Sequence, residues 1–422
     1  MKAFRIVLCL LTLNGLIFGA GFALFEHSAE ATGMAGAFAA TASDPGALFY
    51  NPAGIGFQEG SVYVETTAII LISKFYGSGA YPGTGVREKM VAQTFWPSNV
   101  SLVQPLGKKL TFGFGIFNPF GLGTKWEHPT RYSGRFLSTM AEIQGYNAIA
   151  ALAYRPVENL SVSLGVHYLA AGLSLEKYIG KINPYTQSEA NIGFVRMEAD
   201  LSGEFGYDFG LLYKLGATRL GLTYHSGVDI DFDGTATMSQ VYTGYADFDA
   251  MVGAQFPAGD HPVATSISFP AMAFAGIAHQ VNDNLRFEFN LGWTDWSVYD
   301  KLDVRFKDIP SLSSSHRTDW KDTYTYRFGM EYRFKPSAAL RAGVLYDETP
   351  QPQWEMSPLL ADADRVGFCL GYGTSIKKIS LDAGYMYLIF KQRATHGTQQ
   401  DGYEGEYRNK AHLLGVAMTY HF

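Results

Sequence analysis

The feature that most constrains this chain is an alternation of period two that recurs from residue 61 to the last residue. In 285–293, Leu285, Phe287, Phe289, Leu291 and Trp293 alternate with Arg286, Glu288, Asn290 and Gly292. In 324–334, Tyr324, Tyr326, Phe328, Met330, Tyr332 and Phe334 alternate with Thr325, Arg327, Gly329, Glu331 and Arg333. Segments 110–117 and 160–168 follow the same rule, and the chain ends on Leu414, Val416, Met418, Tyr420 and Phe422. Successive side chains of a strand point to opposite faces, so each run builds one apolar face and one polar or small face. Beyond residue 20 no run approaches the roughly 18–20 consecutive apolar residues that a membrane helix requires.

A soluble sandwich also alternates. Two features favour a membrane barrel instead: the apolar face is aromatic toward strand ends, as an interfacial girdle requires, and the other face carries Arg, Glu and Gly, which suit an interior better than a dry core. Composition agrees, with 15% aromatic and only 17% charged residues, against about 25% charged in soluble domains. The net charge of -6 argues against a nucleic-acid partner. Lys2 and Arg5, an apolar stretch from Ile6 to Phe18, and small residues at Gly19, Ala20 and Gly21 read as a signal peptide over residues 1–20. After its removal Cys369 is the one cysteine left, so no intrachain disulfide forms.

Connectors give an independent test, because outer-membrane barrels alternate short periplasmic turns with long extracellular loops. Short turns are expected at 107–109, 155–159, 215–218, 281–284, 335–338 and 376–378. Long connectors are expected near 77–91, 127–138, 177–193, 237–263, 301–318, 347–363 and 394–404. The count predicts an all-β, transmembrane antiparallel barrel of about fourteen strands over 61–422. Residues 21–60 break the pattern. They are rich in Ala and Gly, too long for a linker and too poor in bulky side chains to fold alone, and are expected to form a plug inside the lumen.

Within that plug, Gly21-Phe22-Ala23-Leu24 and above all Asn51, Pro52, Ala53 and Gly54 resemble the N-terminal hatch of the FadL family of outer-membrane transporters of long-chain fatty acids and hydrocarbons. A second match, 117–126 (FNPFGLGTKW), resembles the family's third strand, whose kink opens the wall sideways. Asn118, Pro119, Phe120 and Gly121 are the positions that match it, with Gly121 as the expected pivot. Pro lacks a ladder donor and Gly weakens pairing, so a break there is also physically expected. The resemblance implies capture of an apolar molecule by extracellular loops, movement of the hatch, and release through the wall into the lipid.

Tyr178, Ile182, Tyr185, Tyr242, Tyr245, Phe248 and Phe256, in two long connectors, are the expected capture surface, since large exposed apolar patches bind something. Lys177, Lys181 and Arg196 are the candidates for holding a cargo carboxylate. The longer connector has no Lys or Arg but holds Asp247, Asp249 and Asp260, which leaves a neutral hydrocarbon open as cargo. Inward-facing Arg286, Arg327, Arg333, Arg341, Glu288, Glu331 and Asp382 are expected to pair and hold plug to barrel. The alternative is a porin-type barrel for polar solutes. An enzyme is not expected, because no nucleophile motif such as G-x-S-x-G and no metal-spaced His or Cys cluster is present. No cofactor is expected. The expected partners are the hydrophobic ligand and the lipid and lipopolysaccharide of the outer membrane, with the protein as a monomer.

Overall fold

In the computed structural model, residues 21–395, 397, 399 and 401–422 are described; the expected signal peptide, 1–20, lies outside them. The alternating segments form fourteen antiparallel strands, several of them interrupted. These are β1 (Ser61–Gly77), β2 (Arg87–Lys89, Gln93–Phe95 and Ser98–Pro105), β3 (Leu110–Phe117 and Gly121–Lys125), β4 (Met140–Val157), β5 (Leu160–Asn183) and β6 (Ser188–Leu215). Then come β7 (Thr218–His225 and Val228–Gln240), β8 (Gly259–Phe269 and Met272–Asn282), β9 (Leu285–Thr294 and Lys301–Phe306) and β10 (Ser314–Arg317 and Thr323–Lys335). β11 (Ala338–Asp347), β12 (Arg365–Ile376), β13 (Ile379–Phe390 with Arg393–Ala394) and β14 (Gly405–His421) complete the set. Each strand pairs with the next, and β1 pairs with β14 from Ser61↔His421 to Gly77↔Gly405, which closes the sheet. Closure matters physically, because an open edge in lipid would leave backbone groups unsatisfied.

The alternation maps onto the two faces. Val62, Val64 and Ile70 of β1 and Leu414, Val416, Met418 and Tyr420 of β14 point outward, while Tyr63, Glu65, Thr67 and Thr419 are buried inside. One expectation is corrected: 177–193 is not a loop. β5 and β6 continue through it as a ladder, and only residues 184–187 turn, with Gln187 at φ 54°. The burial alternation fades there, but the ladder continues, and at 24 and 28 residues these strands are far longer than the roughly 9–11 needed to span the bilayer. Likewise 237–263 contains a helix, α3 (Ala246–Gly253), and 301–318 is mostly a two-stranded ribbon of β9 and β10.

Residues 22–57 run through the barrel interior and are almost entirely buried. They form α1 (Ala29–Gly33), α2 (Ala47–Tyr50) and a 3₁₀ segment, Pro52–Phe57. Ser28 caps α1, its Oγ accepting from Ala31 N at 3.0 Å. Small residues on both sides permit this. A Cβ on Gly343 of β11 would lie 2.6 Å from the Met34 carbonyl carbon, and one on Gly384 of β13 would lie 2.5 Å from the Ala29 oxygen. The glycines on the inner face therefore act as space for a second backbone.

Candidate functional site

β3 stops at Phe117 and resumes at Gly121. Its register with β2 (Val100↔Ile116 through Pro105↔Thr111), continued upward, sets Pro97 opposite Pro119. Pro97 O accepts from Thr67 N of β1 at 2.9 Å and Pro119 O from Leu24 N at 2.8 Å, so neither residue ties β2 to β3, and the two rigid rings stand where the strands part. Asn118 substitutes side-chain bonds for lost backbone ones: its Oδ1 accepts from Ser98 N at 3.0 Å and its Nδ2 donates to Gly145 O at 2.9 Å. Phe120 turns inward, its ring 5.0 Å from that of Phe269 and 6.0 Å from that of Phe22. Gly121 does not occupy the left-handed region, and a Cβ there would meet Leu24 Cδ1 at 3.0 Å and nothing else within 3.5 Å. The break is thus carried by the proline pair and by Phe120, not by glycine's conformational freedom.

The start of the described chain docks on this break. Leu24 N donates to Pro119 O at 2.8 Å and Gly121 N to Phe22 O at 3.0 Å, with Ala23 bridged to Phe120. Gly21 N donates to Asp362 Oδ2 at 2.8 Å. Phe22 sits among Trp296, Tyr299 and Trp320, with ring centroids 4.6, 5.8 and 5.6 Å away.

A cavity of 540 Å³ lies beside the break. Leu24, Ile69, Leu71, Leu388 and Leu413 line it from inside, and Trp96, Ile116 and Tyr146 line it from the exposed outer face. It therefore passes through the wall. Its charged lining includes Arg365, whose Nε donates to Asp347 Oδ2 at 3.0 Å. A second cavity, of 120 Å³, lies inside the extracellular half and is lined by Leu122, Ile143, Leu173, Phe232, Ile267 and Val304 among others, with Glu142 and Glu198 but no Lys or Arg.

Polar contacts fasten the interior segment. Asn51 is fully buried; its Nδ2 donates to Ala39 O at 2.8 Å and to Leu211 O at 3.0 Å, and its Oδ1 accepts from Ala53 N at 3.1 Å. It thereby ties two turns of the segment to β6. Pro52 follows at the start of the 3₁₀ turn, where its missing N–H costs nothing. A Cβ on Gly54 would lie 2.7 Å from the Ala42 oxygen, so that position must be small. Glu30 pairs with Arg286 at 3.3 Å and Arg341 at 3.4 Å, and Arg341 also holds Glu331 at 2.9 Å and Asp382 at 2.6 Å. Glu288 accepts from Ala40 N and Thr41 N, and Arg327 donates to Ala35 O. Arg333 pairs with Glu331 and stays half exposed. His225 Nε2 donates to Phe49 O (2.7 Å), its Nδ1 lies 2.6 Å from Asp208 Oδ1, and Asp208 also meets His167 at 2.9 Å.

Asn51→Asp tests the fastening. The variant keeps the size but loses both donors and sets a carboxylate against two carbonyl oxygens. The segment should loosen by about 3 kcal/mol. Residues 21–57 should become cleavable by protease while the barrel keeps its heat-modifiable mobility on gels; full resistance to cleavage would show that Asn51 does not hold the segment.

The extracellular residues separate into groups. Phe248 and Val252 of α3 are buried against Ile192, and Phe256 packs on that cluster. Asp249 accepts from Thr243 N and Oγ1 and Gly244 N, bonds that hold its carboxyl below the usual range. Tyr185 stacks on Tyr245, centroids 5.2 Å apart. Tyr178 faces Phe194 on the β5–β6 ladder at 5.1 Å. Ile182 and Tyr242 are exposed and stand apart from these contacts. Lys177 lies opposite buried Val195, Lys181 is exposed, and Arg196 pairs with Glu176 at 2.5 Å. The apolar cavity sits deeper than this surface, and the residues lining it were marked in sequence only by the run Val228-Asp229-Ile230-Asp231-Phe232-Asp233.

Comparison with known proteins fits this architecture. The family described as "Outer membrane protein transport protein (OMPP1/FadL/TodX)" matches residues 10–422. A long-chain fatty acid transport protein of Escherichia coli O6:H1 is 26% identical, covering 96% of this chain and 94% of its own. Outer membrane protein P1 of Haemophilus influenzae is 27% identical, covering 96% and 95%. Among solved structures, a Pseudomonas aeruginosa FadL homologue superposes with a TM-score of 0.81 at 21% identity, covering 96% of this chain and 100% of that one. The Pseudomonas putida toluene transporter TodX gives 0.71 at 17% identity, covering 96% and 99%. The porin reading is not favoured, and with a closed barrel, a wall break and a family match along nearly its whole length, the chain belongs to the FadL family of outer-membrane transport proteins.

Proposed function

We propose that this protein takes up hydrophobic small molecules, long-chain fatty acids or related hydrocarbons, and delivers them sideways into the outer membrane. The observation that carries the reading is the 540 Å³ cavity whose lining includes both interior and outward-facing side chains. An apolar solute gains roughly 25 cal/mol per Å² removed from water, so an exit directly into lipid spares it a water-filled passage. The aromatic tips around Tyr185 and Tyr245 serve as the first contact, the 120 Å³ cavity as the next station, and residues 21–60 as the hatch over 61–422, after removal of 1–20. The protein acts as a monomer.

A neutral cargo is the second reading, favoured by the absence of Lys or Arg from the lining of the upper cavity and by the pairing of Arg365 with Asp347. The two separate in one experiment. Cells lacking their own transporter, expressing this protein, are given labelled oleate or labelled toluene. Uptake at least about tenfold above empty cells for either cargo supports transport, since an apolar route spares the cargo several kcal/mol of hydration at roughly 25 cal/mol per Å²; toluene alone identifies the neutral reading. Background uptake of both, with polar sugars admitted instead, would overturn it in favour of a porin.

A further inference from the structure

We infer that the outer face of β13, β14, β1 and β2 carries a binding site for a phosphorylated glycolipid of the outer leaflet, the lipid A part of lipopolysaccharide. The inference rests on the outer-membrane placement of the barrel but not on its cargo.

The outward stripes of these strands have the same length. On β1 the outward residues run Val62, Val64, Thr66, Ala68, Ile70 and Ile72, and the next is Lys74. On β14 they rise from Phe422 through Tyr420, Met418, Val416, Leu414 and His412 to Lys410 and Arg408. On β13 they rise from Ile379 to Ile389, and Lys391 follows. Ten residues at about 3.3 Å each, tilted about 40°, rise about 25 Å, which is the height of the apolar band of an outer-membrane barrel. On all three strands the cation therefore stands at the level where lipid phosphates lie. An aromatic girdle sits just below it: the rings of Tyr387 and His412 stack at 4.8 Å, and Tyr385 Oη is 2.8 Å from His412 Nδ1.

The register gathers these cations. Lys74 lies opposite Arg408 and Lys89, and Tyr76 opposite Arg87, so Lys74, Arg87, Lys89, Lys391, Arg408 and Lys410 share one face across four strands. Three of them are matched by acids: Lys89 by Glu127 at 3.0 Å, Lys391 by Asp364 at 3.5 Å and Arg408 by Glu406 at 2.6 Å. Lys74, Arg87 and Lys410 are exposed and have no carboxylate partner among the described residues. Three uncompensated cations at phosphate height, above an apolar stripe for acyl chains, complement an anionic lipid. The opposite side of the barrel does the reverse: β7 presents Asp229, Asp231 and Asp233 outward above the girdle residue Tyr224. The basic face also adjoins the wall break, since β2 borders both.

The test uses full-length protein in detergent and native mass spectrometry with bis-phosphorylated lipid A. Lys74→Gln/Arg87→Gln/Lys410→Gln should bind at least about tenfold more weakly than the unmodified protein. The conservative Lys74→Arg/Lys410→Arg variant should bind normally, and so should Asp229→Asn/Asp231→Asn on the far side. Dephosphorylated lipid A should bind the unmodified protein only as weakly as the triple variant binds lipid A. Heat-modifiable mobility checks that each barrel is folded. Equal binding by the triple variant, indifference to the phosphates, or full competition by millimolar inorganic phosphate would each overturn the site. Because no cargo is present, failure of this test leaves the transport reading intact, and failure of transport leaves this site intact.

Discussion

Removing residues 21–50 is expected to turn a closed barrel into a conducting one, with single-channel conductance in planar bilayers rising by about an order of magnitude or more. Barrels of eight strands are filled by their own side chains, whereas those of sixteen or more enclose water. Fourteen strands lie near the upper end of that range, and here the inner face is lined largely with glycine and short polar residues. The bulk that closes the lumen comes from Phe38, Leu48, Phe49 and Tyr50, all within the deleted segment and all buried. The barrel should survive the deletion. Its closing ladder between β1 and β14 uses none of these residues. Loss of Glu30 leaves Arg286 and Arg341 still paired with Glu331 and Asp382, so no buried cation is stranded in what becomes a wet lumen. Unchanged conductance from a barrel that still shows heat-modifiable mobility would mean that the segment does not close the lumen.

The strands were readable because lipid outside and small polar groups inside impose period two on every one of them. Fourteen strands follow from connector lengths alone, and the ion pairs of Glu30 with Arg286 and Arg341 were foreshadowed by charges on the inner face. Loop geometry was much less legible. Tyr178 and Lys177 sit on a ladder, not in a loop, because the pairing of β5 with β6 continues past the membrane after the alternation that marks strands has faded. Phe248 was read as part of an exposed capture surface, yet it lies on the buried face of α3 against Ile192, in a helix too short and too weakly patterned to stand out. The wall break was half readable. Pro119 is visible as a strand breaker, but its effect depends on facing Pro97, and facing is a matter of register. Phe22, remote in sequence from Phe120, Trp296 and Trp320, could be joined to them only by the fold.

That register makes the sharpest prediction about the exit. In Pro97→Val/Pro119→Val the two ring constraints are gone, so Ser98 and Asn118, the pair whose backbones face each other in this register, can close into the ladder, and Val suits a strand. Two restored ladder bonds at about 1 kcal/mol each amount to a shift of roughly thirtyfold toward a closed seam, taking 1.4 kcal/mol per tenfold. Uptake of the hydrophobic cargo should fall by about that factor, while binding of the cargo to purified protein falls little, because the 120 Å³ cavity is lined by neither Pro97 nor Pro119 and shares only Leu122, Glu142 and Ile143 with the seam cavity. Gly121→Val behaves differently. Gly121 is not in the left-handed region, and its added carbon meets only the flexible end of Leu24, so most uptake should remain. Either single proline variant should fall between these limits, since one ring still constrains its strand beside the seam. Full uptake by the folded double variant would remove the proline pair from the exit and return the role to Phe120 and the docked residues Phe22–Leu24, whose bonds to Pro119 and Gly121 would then be what holds the strands apart.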